Sequence, residues 1–333
     1  MKITAWNAGP RTPEIGGRGR AVRCGECSEP RTFGVVTNRS TRSHPPTAPG
    51  SSAAGVALVV AAALVTQTGA AIAYQIFDRV GAQGAVFLRL LISSALLWIV
   101  FRPSVRSVTT RNLPVILGFG VSLGAMNMCI YQAIARLPLG VAVTIELLGP
   151  LVLSVVLSRK LSGVLWAGLA LAGVLLLSGI GPGTDGVDPV GVAFALAAAS
   201  MWALYIMMSR QAGREFPGTQ GLALAMVVGA VLAAPFGVAS GGVDLLDPWV
   251  LLVGALIAVL SSAVPYALEL ASLRLLAAET FAILVSLAPA IAALVGWIIL
   301  GQGLELPEIL GMGLVILASA AAVQSAQRHS GRG

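Results

Sequence analysis

The chain has 333 residues, of which 56% are hydrophobic and only 11% charged, and its mean hydropathy is +0.88. A soluble globular domain usually carries about 25% charged residues, so this composition excludes an ordinary soluble domain. The net charge of +7 is concentrated in the first fifty residues, and beyond them the chain is a succession of apolar runs. Several runs reach the roughly 20 residues that a helix needs to cross the hydrocarbon core of a bilayer. Because lipid offers no partner to an unpaired backbone group, helices are the natural way to span it, and an all-α membrane protein is expected.

Residues 1–54 differ in kind. Lys2, Arg11, Arg18, Arg20, Arg23, Arg31, Arg39 and Arg42 outnumber Glu14, Glu26 and Glu29, and the stretch ends in "TRSHPPTAPGSS". The compact apolar centre of a secretory signal is absent. A basic, disordered tail is expected there, either touching anionic headgroups or, the preferred reading, simply solvated and from a start assigned too far upstream. "CGEC" (Cys24, Cys27) is half of a zinc-ribbon spacing with no second pair, and His44 and His329 are distant. No metal site and no cofactor are expected. Cys129 lies in an apolar run and reads as a small buried hydrophobe.

From residue 55 the runs predict ten transmembrane helices: 55–76, 84–101, 113–134, 139–157, 163–181, 189–208, 218–238, 249–270, 280–300 and 309–326. With both termini in the cytoplasm, the inner segments collect Arg102, Arg106, Arg111, Arg159, Lys160, Arg210, Arg214, Arg274, Arg328 and Arg332. The outer loops hold only Arg79 and Arg136. That asymmetry, ten against two, predicts the orientation. A multi-pass membrane protein with both termini cytoplasmic is expected.

Ten spans divide into five and five, and an odd number per half makes any internal duplication inverted. Setting Pro150 on Pro289 superposes "RLPLGVAVTIELLGP" on "LLAAETFAILVSLAP" in spans 4 and 9. Prolines at matched depth are what interrupted transporter helices show. The expected architecture is therefore two inverted five-helix repeats, 55–181 and 182–326, followed by a short cytoplasmic tail, 327–333.

Two ionisable groups fall deep inside spans. Arg89, in "VFLRLLISSALLWIV", lies five residues into span 2, and Glu146, in "VTIELLGP", seven residues into span 4. At 1.5 Å per residue they share nearly one depth. A charge there costs at least about 2.5 to 3.5 kcal/mol on insertion scales and faces a cavity or a partner. One reading is an ion pair pinning two helices. The preferred one is a polar chamber in which Arg89 grips a carboxylate with its planar fork, while Glu146 meets an ammonium and exchanges protons. Gln67, Tyr74 and Gln75 in span 1, Asn127, Tyr131 and Gln132 in span 3, Tyr205 in span 6 and Tyr266 in span 8 offer further polar contacts to a solute. Of these, Gln67, Tyr74, Asn127, Tyr131 and Tyr266 complete the expected substrate site. Glu269, near the inner end of span 8, reads as structural, with Arg274 its partner. Trp98 and Trp249 read as interfacial anchors.

The strings "LPLGVAVTIELLGPLVLSVVLSRKL", "ASMWALYIMMSRQAGREFPGTQGLALAMVVGAVLAAPFG" and "SSAVPYALELASLRLL" closely resemble the drug/metabolite transporter superfamily, and within it the EamA-domain proteins of the inner-membrane threonine/homoserine exporter type. The resemblance covers about residues 55–326 and implies ten spans in two inverted halves, a place in a cell's inner (plasma) membrane, export of small metabolites, and proton exchange. Arg89, Glu146 and Pro265 to Glu269 match the family pattern. The second half departs from it: "SLAP", with Ala288, stands where the family often has an acid before the proline, and Ala277 and Glu279 are atypical, which leaves more weight on Glu146.

The expected function is a secondary transporter exporting amino acids or related polar metabolites, its partners being the small-molecule substrate, protons and the lipid bilayer, with no nucleic acid. Monomer and homodimer both remain open. Without a Walker motif, an ion gradient rather than ATP is expected to drive it. Drug export on the same fold, a passive pore and a membrane-embedded enzyme are the alternatives. The enzyme is disfavoured because no nucleophile, base and metal-ligand set gathers at membrane depth.

Overall fold

The computed structural model describes residues 49–158, 161–177, 188–217, 219–276 and 278–330. The basic tail with its Cys24–Cys27 pair, Arg159, Lys160, Asp185, Ala277 and Arg332 lie outside the described residues, as do the side chains of Tyr266 and Glu279. Among the described residues there is no strand. The helices are α1 (Pro49–Tyr74), α2 (Phe77–Phe101), α3 (Leu113–Ile134), α4 (Leu139–Glu146), α5 (Leu148–Ser158), α6 (Leu161–Leu177), α7 (Pro189–Glu215), α8 (Gln220–Gly241), α9 (Pro248–Ala258), α10 (Val264–Ser272), α11 (Ala278–Val285), α12 (Ala288–Leu300) and α13 (Leu306–Ser330), with a π-helical turn, Val259–Ala263, joining α9 to α10.

Among the described residues, seven stretches are long and apolar enough to cross a membrane: Ala53–Tyr74, Phe77–Phe101, Leu113–Ile134, Pro189–Glu215, Gln220–Leu246, Pro248–Glu269 and Ile283–Leu300. Leu139–Leu153, Leu165–Leu176 and Leu306–Ala321 are apolar but shorter, and they fall in expected spans 4, 5 and 10. The outside of the bundle is apolar too: Leu165, Leu171, Val231, Leu252, Trp297, Ile298 and Leu317 are all exposed. Water does not tolerate so continuous an apolar surface, whereas lipid does. The chain is a multi-pass membrane protein.

Local chemistry sets the helix ends. α7 and α9 both begin with Asp-Pro: the Asp188 carboxylate accepts from the Val190 N–H at 2.8 Å, and that of Asp247 from Trp249 and Val250 at 2.8 and 3.3 Å. The following proline starts each helix with the right φ and no wasted donor. α2 starts at Phe77, well before the expected residue 84, but bends at Gly81, whose φ of +68° suits only glycine.

Three prolines interrupt helices within the bundle. A proline cannot donate to the carbonyl four residues back. Pro150 stands four residues after Glu146, where α4 ends; Pro289 stands four after Val285, where α11 ends; Pro265 stands four after Ser261, inside the π turn. Spans 4 and 9, whose matched prolines pointed to interrupted helices, are each broken, at Leu147 and at Ser286–Leu287.

Packing relies on close approach, since lipid is as apolar as leucine and gives little reward for burying it. α2 packs on α8, α3 on α7 and α8, α6 on α13, and α4 lies between α7 and α12. Where α3 crosses α8, backbone meets backbone: a Cβ added at Gly124 would lie 2.9 Å from the Gly229 Cα. Seven of the eight α4 residues, Leu139 to Ile145, are buried, and Glu146 at the end of the helix is only partly so.

Candidate functional site

Arg89 sits at the midpoint of α2 and is half-buried. Its Nη1 donates to the Tyr131 hydroxyl of α3 at 3.2 Å, and its Cζ lies 5.5 Å from the centre of that ring. Its Nη2 donates to the Ser261 carbonyl at 3.3 Å. That carbonyl is the one Pro265 leaves without its ordinary donor. Beside it the Ser93 and Ser262 hydroxyls share a buried hydrogen bond of 2.9 Å, which joins α2 to the π turn a second time.

Both Arg89 hydrogen bonds are longer than the about 2.7 to 2.9 Å of a tight charge-assisted bond. Two of the five guanidinium N–H groups are occupied, which leaves donors for a further acceptor.

Glu146 closes α4. Among the described residues no hydrogen bond or ion pair holds its carboxylate, yet it lies within electrostatic reach of Arg89 and of Cys129 on α3. The two groups therefore share one region of the bundle without forming the ion pair that a structural strut requires. Arg89 is anchored to a tyrosine and a backbone carbonyl instead.

The other expected residues divide. Tyr131 is fully buried and bears directly on Arg89. Tyr74, exposed at the end of α1, packs its ring 5.4 Å from that of Phe77, which lies 5.9 Å from Tyr131, so three rings lead from the surface to the arginine. Gln67 is buried on α1 and donates to the Ala288 carbonyl at 3.5 Å, at the start of α12. Asn127 is buried, but its amide donates back to Leu123 of its own helix at 2.8 Å. Gln132 is held by Arg136, and Tyr205 stacks on Phe119. The side chain of Tyr266 lies outside the described residues. Glu269 forms no ion pair with Arg274 among the described residues, against expectation; Arg274 is exposed. Arg136 instead makes the ion pair found there, 3.7 Å from Asp188. Trp98 and Trp249 are both exposed.

Sequence reasoning passed over Ser261, Ser262 and Ser93. The signal was there in "SSAVPY": two small hydroxyl residues just ahead of a proline at membrane depth, where a freed carbonyl has to find another donor.

A multi-pass helical bundle whose helices break near a half-buried arginine and glutamate has the construction of a membrane transporter. The chain belongs to the EamA-like transporter family: that family's model matches residues 189–324. Over 276 residues it is 37% identical to the threonine/homoserine exporter RhtA of Escherichia coli K12, an alignment covering 83% of this chain and 92% of that one. Over 265 residues it is likewise 37% identical to RhtA of Salmonella typhimurium LT2, covering 79% and 89%. A crystal structure at 21% identity superposes with a TM-score of 0.52 over 82% of this chain and 98% of the other, which bears on the fold alone.

Proposed function

We propose that this transporter exports small polar metabolites, amino acids such as threonine and homoserine foremost, across the inner membrane in exchange for protons. The observation that carries this reading is the state of Arg89 and Glu146. One is tethered by replaceable hydrogen bonds, the other forms no ion pair among the described residues, and the two lie in electrostatic reach of each other. A zwitterion fits between opposite charges kept apart in that way: its carboxylate takes the guanidinium fork and its ammonium faces Glu146. The named activity of the RhtA relatives supports the solute class. Glu146, with no hydrogen bond or ion pair among the described residues, is the group assigned to proton exchange.

The architecture we propose is ten spans in two inverted repeats, with both termini cytoplasmic. Two observations support the repeat. Shifting α4, Leu139–Glu146, by the Pro150-to-Pro289 offset lands on α11, Ala278–Val285, so both halves break at one register. The helix contacts also survive exchange of the halves: α3 on α7 corresponds to α10 on α1, α3 on α8 to α9 on α2, and α5 against α7 to α12 against α1. Substrate, protons and lipid are the proposed partners.

Counterflow of labelled threonine in proteoliposomes, run with and without a pH gradient, tests the reading. Stimulated, saturable exchange of threonine is expected. Flux without saturation would indicate a pore, and protection of cells against hydrophobic dyes alone would indicate a drug exporter.

A further inference from the structure

The proposed function leaves open how a flexible arginine is aimed at one place in the bundle. The answer lies on the opposite wall. The π turn Val259–Ala263 sends the Val264 N–H to the Val259 carbonyl, five residues back. Pro265, four residues past Ser261, has no N–H to return. In an ordinary α-helix the N–H four residues on would occupy the Ser261 carbonyl; here that residue is Pro265, which has none, and Arg89 Nη2 donates to the carbonyl at 3.3 Å.

The remaining contacts hold this acceptor in place. The Ser93–Ser262 bond fixes the next residue of the turn against α2. On the other side, α1 presses its Gly69 against the turn, where a Cβ would collide with the Ser261 hydroxyl and lie 3.2 Å from the Leu260 Cβ. The Ser261 hydroxyl itself is buried with no hydrogen-bond partner, so the serine's hold on Arg89 is through its backbone.

We propose that Pro265 is a positioning residue for substrate recognition. By denying the Ser261 carbonyl its helical donor, it makes that carbonyl the resting acceptor for Arg89, and the carboxylate of the solute displaces it during binding. The carbonyl keeps the guanidinium oriented and partly satisfied while the site is empty, and gives it up because a carboxylate is the stronger acceptor. This inference rests on the amino-acid reading given above and assigns a residue that never touches the solute.

The test compares two unlabelled competitors, threonine and threonine methyl ester, against labelled threonine counterflow in proteoliposomes. The ester keeps the ammonium and removes the carboxylate charge. Wild-type protein is expected to prefer threonine. Pro265→Ala, which restores the N–H, is expected to reduce that preference about tenfold, the scale of one hydrogen bond to a charged group. Ser261→Ala keeps the carbonyl and is expected to leave the preference unchanged. If Pro265→Ala slows transport yet leaves the preference intact, or if Ser261→Ala abolishes it, the positioning role is wrong. Wild-type protein with no preference for threonine over the ester would instead overturn the amino-acid reading. The positioning role is then decided by an experimental structure of Pro265→Ala: Arg89 is expected to leave the Ser261 carbonyl, and an arginine still bonded there refutes it.

Discussion

Arg89 and Glu146 are the residues on which transport chemistry is expected to turn, and each makes a separate prediction. Lysine at position 89 keeps the charge but loses the planar fork that spans both oxygens of a carboxylate. Arg89→Lys is expected to weaken threonine binding about tenfold and Arg89→Gln to abolish saturable counterflow, read from concentration series in proteoliposomes. Glu146→Gln removes the exchangeable proton while nearly preserving shape. Its counterflow is expected to persist but to lose its response to an imposed pH gradient; a gradient response equal to that of the wild type would show that another group carries the proton. Both ionisable residues were legible in the sequence, because a charge inside an apolar run stands out and its cost demands an explanation. Their partners were not. A tyrosine hydroxyl on α3 and a carbonyl on the π turn meet Arg89 only through folding, across gaps of 42 and 172 positions.

Elements behave according to how they end and where they touch. The Asp247 carboxylate caps two N–H groups of α9, and Asp247→Ala is expected to cost about 1 kcal/mol, seen as a small fall in thermal midpoint in detergent with exchange kinetics unaltered. Gly140 of α4 faces the α12 backbone, where a Cβ would lie 2.8 Å from that of Ala293. Gly140→Val is expected to force the two helices apart and destabilise the protein by about 1 to 3 kcal/mol, measured by the same unfolding assay. Expected and observed helices agree closely where charge or Asp-Pro bounds a run, as at Leu113–Ile134. They differ where a glycine or proline acts inside one: α2 starts early and bends at Gly81, and spans 4 and 9 break ahead of Pro150 and Pro289. Hydropathy sees only that these segments are apolar; the backbone hydrogen bond a proline withholds is invisible to it.

At the scale of the whole molecule, the proposed orientation places the Asp244 loop outside and the end of α13 inside. Reporter fusions check it directly: a reporter active only in the cytoplasm is expected to work after residue 330 and to fail when inserted at Asp244, and the reverse pattern would invert the protein. Membrane residence, helical class and the presence of two charges inside apolar runs follow from the sequence alone, because each is a one-dimensional quantity, a count of apolar or charged residues along a line. Which helices face one another, that Arg89 donates to the Ser261 carbonyl, and that Glu146 forms no ion pair among the described residues were decided by tertiary structure, because they depend on groups far apart in the chain whose meeting is set by close helix packing.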